Sequence, residues 1–310
     1  MKLIAQKNAF AKHCLLVFLL STIGLNPVWA NATSKTLAAS NKRYSFNIGF
    51  YYPAIVNLVT RADYQVAVNF LVEGLGLKST QARLFDDITE LKQAFDKNEL
   101  DFIMAPPVLL AKHIDRDKLA DGFVGTSANG GIGGTVLLVR KDQHISTLEQ
   151  LANKKLLLSS NDDLAALYLD TLTLKTFKQH YQNVFSEIKT KDKQTAVVLG
   201  LFFKEGEAAM TYKQNYELMA EMNPQLTASL DVLASFPAKS INYGYFHRNF
   251  PAPLRRKVTQ KISQLNTQPR WQHLLNKLHM SRLIPCPVNE LAAFDQLITD
   301  HQALQNGIIP

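Results

Sequence analysis

The sequence predicts an α/β protein whose helices and strands form two lobes with a ligand cleft between them. Two observations support this fold class. Apolar strand-like runs alternate with amphipathic helical runs, which is typical of parallel sheets covered by helices. The alternation restarts after Gly134, so the chain contains two such halves. In folds of this kind, ligands bind at the carboxyl ends of the strands.

The first half is predicted to begin with a strand that stops at two tyrosines and a proline. The five elements predicted there alternate between strand and helix, over residues 45–50, 62–74, 83–85, 88–97 and 100–105. The first helix carries Tyr64, Val68 and Leu71 on one face, and glycines follow it, as is common at helix C-termini. Pro106 and Pro107 close the last strand of this half.

The second half restarts with a strand over 135–139, which breaks at the charged turn 140–142. A short helix with Leu148 and Leu151 on one face follows, and then a strand over 156–158. The later predicted elements are helices over 164–180, 195–204 and 215–222, strands over 208–212, 231–235 and 241–247, and a long helical tail with Val258, Ile262 and Leu265 on one face.

The first 32 residues are predicted to be an export signal. Lys2, Lys7 and Lys12 precede an apolar run over 14–23, and small residues then permit cleavage after Ala30 or Ala32. The run is shorter than the roughly 20 residues needed to span a bilayer. A retained membrane anchor is the alternative interpretation. Residues 33–43 are small and polar and predict a flexible leader, and the mature protein is predicted to be periplasmic.

Charge and cysteine content exclude further classes. The formal net charge is +8, but the basic residues are spread along the chain without interleaved aromatic residues, so no nucleic-acid partner is predicted. Outside the signal the only cysteine is Cys286, and a single thiol forms no intrachain disulfide. Cys286 is therefore predicted to be buried packing in a fold that depends on its apolar core.

The motifs of several enzyme classes fail on their spacing. The glycine run 130–134 lacks a following Gly-Lys-Ser/Thr and precedes a strand, so it predicts a flexible approach to a hinge strand and not a phosphate cradle. The histidines lack metal-ligand spacing, and no Gly-x-Ser-x-Gly occurs. The adjacent acids Asp86–Asp87 and Asp162–Asp163 are interpreted as turn or cap residues. Neither catalysis, a metal nor a cofactor is predicted.

Polar or aromatic residues follow the strand ends in both halves, where a cleft would lie. Any one of them has an ordinary structural explanation, such as packing or helix capping. Their joint occurrence predicts the lining of a ligand site. The residues predicted from this pattern to bind ligand are Tyr51, Tyr52, Pro106, Ser159, Ser160, Asn161 and Tyr212.

Four segments of the chain resemble the PhnD-like phosphate/phosphonate-binding proteins of ABC importers. They are FNIGFYYP, DDITELKQAFDKNELDFIMAPPVLLAKH, TVLLVRKDQHISTLEQLANKKLLLSSNDDLAALYL and KEGEAAMTYKQNYELM. The resemblance covers nearly all of the chain after the leader. It implies a type 2 periplasmic binding protein fold, with two crossing segments between the lobes, a ligand in the cleft and no catalysis. Lobe 1 is predicted over 44–134 and 236–310, and lobe 2 over 135–235.

The resemblance also assigns roles to individual positions. Tyr51 and Tyr52 would stand on the first-lobe wall of the cleft. Residues 159–161 would occupy the family's Ser-Thr-Ser-Gly loop, which binds phosphono oxygens through hydroxyls and helix N–H groups. Glu207 stands about where the family has a cleft aspartate, and it is predicted to contact ligand on that ground.

Several positions depart from the family pattern. Asn161–Asp162 stands where the loop has Ser-Gly, and no histidine occurs over 189–195, where the family usually has Ser-His. Val108 and Leu109 follow the two prolines, in a loop where the family often has an aromatic residue.

Negative charge at the loop changes the predicted ligand. Ser160 and Asp163 have the spacing of a capping box, which would use N–H groups that an anion needs. Asp162 and Asp163 favour the helix dipole but repel a dianion. The predicted preference therefore shifts from phosphonate towards a neutral or cationic solute, or towards no ligand.

These observations predict an exported, monomeric solute-binding protein that closes around a small molecule. Its partner would be an ABC transporter permease or a membrane sensor kinase. The alternative keeps the fold but makes the protein a ligand-poor interaction module that docks on a membrane-bound sensor kinase. An enzyme on the same scaffold is the third hypothesis.

Overall fold

The computed structural model describes residues 44–51, 61–73, 75, 77–126, 133–160, 162–277 and 280–307. The predicted signal and leader lie outside these residues. Within the described ranges the strands are β1 Ser45–Tyr51, β2 Ser79–Phe85, β3 Phe102–Ala105, β4 Leu119–Thr126, β5 Thr135–Arg140, β6 Lys155–Ser159, β7 Glu187–Lys191, β8 Ala208–Tyr212, β9 Leu230–Phe236, β10 Tyr243–His247 and β11 Arg282–Cys286.

Helices connect most of these strands. In chain order they are α1 Arg61–Val72, α2 Ile88–Asp96, α3 Pro107–His113, α4 Asp163–Phe177, α5 Tyr181–Val184, α6 Gln194–Phe202, α7 Lys213–Met222, α8 Gln225–Ser229, α9 Ala252–Leu265, α10 Pro269–Lys277 and α11 Ala292–Gln305. Short 3₁₀ helices cover Arg116–Lys118, Lys141–Gln143, Leu148–Leu151 and Val288–Leu291.

The first sheet contains six of the described strands in the order β11-β4-β10-β3-β1-β2. Strand β1 pairs in parallel with β2 and with β3, so their carboxyl ends share one edge. Strand β10 returns late in the chain and pairs antiparallel with β3 and with β4. The first sheet is therefore built from the two ends of the described chain.

The second sheet contains five strands of the described chain in the order β7-β6-β8-β5-β9. Strand β6 pairs in parallel with β7 and β8, and β5 pairs antiparallel with β8 and β9. Thr135 lies opposite Tyr212, so β5 starts at the edge where β6 and β8 end. Every residue of β5 is buried, as its apolar run predicts.

The described residues of the two segments that connect the sheets lie against each other. A Cβ atom built on Gly133 would come within 2.3 Å of the Ser240 carbonyl oxygen, and one on Gly134 within 2.7 Å of the Phe236 carbonyl oxygen. Gly134 also has a φ of 88°, a backbone conformation that residues other than glycine rarely adopt. Close backbone contact explains these two glycines; the remainder of the predicted flexible run, 130–132, lies outside the described residues.

Helix α4 follows a strand of the second sheet but packs against helices of the first. Its buried Leu164 and Leu167 belong to one apolar cluster with Val108 of α3 and with Phe294 and Leu297 of α11. Burying a leucine side chain contributes about 1.5–3 kcal/mol. This shared cluster holds the two sheets together beside their facing strand ends.

The predicted α/β fold of two sheets is confirmed, with local differences. Strand β2 starts at Ser79, four residues before the predicted strand, and α4 ends at Phe177 with Lys178 in the left-handed conformation. The helix with Val258, Ile262 and Leu265 buried on one face is confirmed as α9, but the predicted tail is not one long helical region, because β11 separates α10 from α11. Cys286 is buried as predicted, and its Sγ lies 3.2 Å from the Tyr245 hydroxyl oxygen.

Candidate functional site

A small cavity lies where strand ends of the two sheets face each other. Its volume is about 30 Å³, which is room for about one or two water molecules. The residues that line it come from the end of β3, the start of β5, the ends of β6 and β8, and the segment before β10. They are Pro106, Pro107, Gly134, Asp162, Asp163, Leu164, Tyr212, Ser240 and Ile241.

The loop after β6 is held by hydrogen bonds within the protein. Ser159 is buried, and its hydroxyl donates to the Ser160 carbonyl at 3.3 Å. The Ser160 amide and hydroxyl both donate to the Lys191 carbonyl, at 3.0 and 3.4 Å. The two predicted hydroxyl donors are therefore engaged with the backbone. Asn161 lies outside the described residues.

Asp162 is the N-cap of α4 and is only 5% exposed. Its Oδ1 accepts a hydrogen bond from the Ala165 amide at 3.0 Å, and its Oδ2 accepts one from Gln194 Nε2 at 3.0 Å. The predicted capping box of Ser160 and Asp163 is thus wrong, because Asp162 itself reaches the amide three residues on. Burial raises the pKa of Asp162 to about 6, despite the hydrogen bonds that favour its charged form.

Gln194 is the site residue that sequence reasoning missed. Its Oε1 accepts hydrogen bonds from the Thr211 hydroxyl at 2.8 Å and from the Tyr212 amide at 3.2 Å, while its Nε2 binds Asp162. One amide therefore joins the ends of β6 and β8 to the start of α6. The available signal was position, since Gln194 lies in the 189–195 stretch where the resembled family places its histidine.

Tyrosines from both sheets lie near the same carboxylates. Burial, together with Asp162 and Asp163, raises the pKa of Tyr212 well above its usual value. Burial, followed by Asp163, Asp87 and Asp86, raises the pKa of Tyr51. Among the described residues the Tyr212 hydroxyl has no hydrogen-bond partner, although Tyr212 lines the cavity.

The structure brings together only part of the predicted site. Pro106 and Tyr212 line the cavity, and Tyr51 lies within electrostatic range of the cavity residue Asp163. Tyr52 lies outside the described residues. Val108 and Leu109, which replace the family's aromatic residue, are buried in the core.

Glu207 lies at the other end of the second sheet. Its Oε2 accepts a hydrogen bond from the Lys155 amide at 2.8 Å, where β6 begins. Strand β8 runs from Ala208 to Tyr212 and separates Glu207 from the cavity by roughly 16 Å at the usual strand rise. The structure therefore does not bring Glu207 together with the other predicted residues.

The cavity is acidic. Asp162 and Asp163 are its charged residues, and none of the described residues that line it is a lysine or an arginine. Throughout the described ranges no group of three His, Cys, Asp or Glu residues is placed to hold a metal ion. The cavity therefore offers two carboxylates, a tyrosine and a serine beside apolar walls.

Comparison with known proteins identifies the family. The profile of the family described as "ABC transporter, phosphonate, periplasmic substrate-binding protein" matches residues 51–289. A search of curated proteins found no match. In the described part of the chain, no helix has the length and apolar character needed to cross a membrane.

Solved structures share the fold. A Xanthomonas citri protein bound to chloride superimposes with a TM-score of 0.61 at 11% identity, over 85% of this chain and 99% of that one. A binding component of an ABC phosphonate transporter from Pseudomonas aeruginosa gives 0.59 at 13%, over 86% and 89%. PhnD1 from Prochlorococcus marinus in complex with methylphosphonate gives 0.58 at 12%, over 86% and 99%.

These likenesses confirm the fold, and the profile match confirms the resemblance read from the sequence. The profile covers well over half of the chain, including every strand from the second to the last and both connections between the sheets. The chain therefore belongs to the phosphonate-type periplasmic substrate-binding proteins of ABC transporters, and its role is that of a solute-binding protein for an ABC importer.

Proposed function

We propose that this protein captures a neutral or positively charged small solute between its two sheets and delivers it to an ABC permease. The observation that carries the proposal is the acidic lining of the cavity, with Asp162 and Asp163 and no basic residue among the described lining. A phosphonate dianion would be repelled there. The Tyr212 hydroxyl, which has no hydrogen-bond partner among the described residues, is a donor or acceptor for the solute.

Solute capture requires the cavity to open. A volume of about 30 Å³ is too small for an organic solute. We assign residues 44–134 and 236–310 to lobe 1 and 135–235 to lobe 2, which move about the crossing segments next to Gly133 and Gly134. Hinge closure around a ligand is a common motion of two-lobed binding proteins.

The same proposal covers the export of the protein and its action in the periplasm. Residues 1–32 act as a signal peptide, and the mature chain works as a periplasmic monomer. It binds and releases its solute without a catalytic step, a metal or a cofactor. Tyr51, Tyr52 and Pro106 on one side, and Ser159, Ser160, Asn161 and Tyr212 on the other, are proposed to border the opened cleft. The predicted contact of Glu207 is not part of this proposal.

Ligand screening tests the preference. The chain from residue 33 onward is purified without denaturant, and native mass spectrometry shows whether it carries a bound compound. Its thermal unfolding midpoint, Tm, is then measured in the presence of polyamines, amino acids, sugars, phosphate and methylphosphonate. Cationic or neutral compounds are expected to raise Tm, since a ligand present at 100 times its Kd contributes about 2.7 kcal/mol. Stabilisation by the anions alone would overturn the preference.

Two variants locate the binding site. Tyr212→Phe removes the hydroxyl that borders the cavity, and it is expected to weaken binding of the identified solute about tenfold or more. Glu207→Gln is the matched control, because Glu207 lies at the opposite end of β8 and its change is expected to leave the affinity unaltered. Equal effects of both variants would place the site elsewhere.

A second candidate function is a ligand-poor module that docks on a membrane-bound sensor kinase. The internally bonded serines and the Asp162 cap favour it, because they leave few polar groups free for a ligand. This candidate predicts that native mass spectra give the mass of the protein without a ligand and that no compound raises its Tm. It also predicts photo-crosslinking of the protein to a sensor kinase in native membranes. Crosslinking to a permease alone would contradict it.

A further inference from the structure

A carboxylate of the protein itself, that of Asp162, caps the N-terminus of α4. Helix N-termini attract oxyanions because their first amides lack partners within the helix. Here the Ala165 amide donates to Asp162 Oδ1 at 3.0 Å, and the carboxylate is buried at the edge of the cavity. The protein's own carboxylate thus occupies the position where an oxyanion would bind.

Gln194 fixes the orientation of that carboxylate. Its Nε2 donates to Asp162 Oδ2 at 3.0 Å, and its Oε1 is held by the Thr211 hydroxyl and the Tyr212 amide. Because Oε1 accepts two hydrogen bonds on one side, the Nε2 donor points at Asp162. The carboxylate is therefore held from two directions, by an amide of α4 and by Gln194 at the start of α6.

We propose that Asp162, oriented by Gln194, is the specificity-determining residue of the cleft, and that its carboxylate excludes small oxyanions by occupying the amides that would bind them. The inference rests on the proposed function, since it concerns what that cleft accepts. The aspartate at position 162, which departs from the family's loop pattern, thereby determines which ligands are accepted. The fold of a phosphonate-type protein is kept, and the protein's own carboxylate occupies the oxyanion position.

Asp163 provides a matched comparison. Both aspartates line the cavity and each carries one negative charge. Asp163 is exposed, and its side chain has no hydrogen-bond or ion-pair partner among the described residues. Replacing either residue by serine removes one charge from the cavity, but only the change at Asp162 exchanges a charged acceptor of the Ala165 amide for a neutral one. A serine hydroxyl at position 162 still caps the helix, but an anion can displace it from the amide because charge-assisted hydrogen bonds are stronger.

Calorimetric titration with inorganic phosphate and with methylphosphonate at pH 8 tests the proposal. Three forms of the full mature chain are compared at fixed ionic strength: the wild type, the Asp162→Ser variant and the Asp163→Ser variant. Asp162→Ser is expected to bind either anion at least about tenfold more tightly than wild type, because charge-assisted hydrogen bonds become available. Asp163→Ser is expected to stay within about threefold of wild type.

Each other outcome has a defined meaning. Equal affinities of the two folded serine variants, or wild-type binding as tight as that of Asp162→Ser, would overturn the proposal. Should Asp162→Ser not fold, Asp162→Gly replaces it, and loss of folding in both would overturn the proposal by making the carboxylate a requirement of the fold. Solute binding by wild type in the ligand screen is measured separately, so failure of the inference leaves the proposed function standing, and the reverse.

Discussion

Helix α4 carries two buried aspartates in contrasting surroundings. Asp162 caps its N-terminus beside the cavity and Asp170 lies in its middle, and they are 5% and 7% exposed. Burial alone would raise the pKa of both. The pKa of Asp162 is indeed raised, to about 6, whereas that of Asp170 is below its ordinary value.

Their hydrogen-bond partners explain the difference. Asp162 is bonded to neutral groups, the Ala165 amide and the Gln194 side chain, and Asp163 adds a like charge. Asp170 Oδ2 accepts from His301 Nε2 at 2.7 Å and from His180 Nδ1 at 2.9 Å. Asp162 is also buried more deeply than Asp170, so depth and hydrogen-bond partners together decide whether the charged carboxylate is favoured.

Asp170 also joins α4 to the next helix, α5, and to α11, which is distant in sequence. Besides the two histidines, its Oδ1 accepts from the Tyr181 amide at 3.0 Å. His301 belongs to α11, which packs with the first sheet, and Tyr181 begins α5. The middle of α4 is thus a structural junction, and its N-terminus is the recognition end.

The largest expected effect follows from Asp170→Ala. Removing this carboxylate leaves two imidazole groups and one amide without their acceptor, so we expect the free energy of unfolding to fall by about 3–4 kcal/mol. Urea denaturation at pH 7 measures the change. Asp163→Ala, in the first turn of the same helix but exposed, is the control, with a change below about 1 kcal/mol. A loss under 1 kcal/mol for Asp170→Ala would remove the contrast.

The next effect concerns pH. Asp162 has a folded-state pKa of about 6 against an ordinary value of 3.8, so the folded state binds more protons between those values. Its contribution to stability is full below pH 4 and is lost as the pH rises through 6, by about 2–3 kcal/mol. Urea midpoints of wild type and Asp162→Ser from pH 4 to pH 8 measure it. A pH-independent difference would contradict the raised pKa.

Asp170 acts in the opposite direction and in another pH range. Its folded-state pKa is depressed, so its contribution is present above pH 3.8 and is lost as the pH falls through the lower, folded-state value. The same titration, extended below pH 4 with Asp170→Asn, separates the two carboxylates. Wild type is expected to lose stability relative to Asp170→Asn only in this acid range.

A smaller effect distinguishes the two histidines. The His301 side chain is 15% exposed and that of His180 is 47% exposed, so the same bond to Asp170 is more shielded from water at His301. We expect His301→Gln to cost about 1–2 kcal/mol and His180→Gln less than about 1 kcal/mol. Equal losses in urea denaturation would show that exposure does not rank these bonds.

Much of the secondary structure was predictable, and the misses have physical causes. Strand β5 is a continuous apolar run, and such a run specifies a buried strand locally. Strand β4 has Asp121, Gly122 and Gly125, which are poor strand formers. It forms because β10 and β11 pair with it on both sides. A Cβ atom on Gly122 would lie 2.0 Å from the Gly244 carbonyl oxygen, so the glycine permits that pairing.

The candidate site likewise has features that the sequence predicts and features that depend on the tertiary structure. By itself the sequence determined that Pro106 and Tyr212 end strands and that carboxylates begin α4, because periodicity and capping depend on a few neighbouring residues. Only the tertiary structure decided that Gln194 reaches Asp162, that His301 reaches Asp170 across 131 residues, and that Glu207 lies far from the cavity. Those contacts depend on strand order and on how α4 packs between the sheets, which no local pattern encodes.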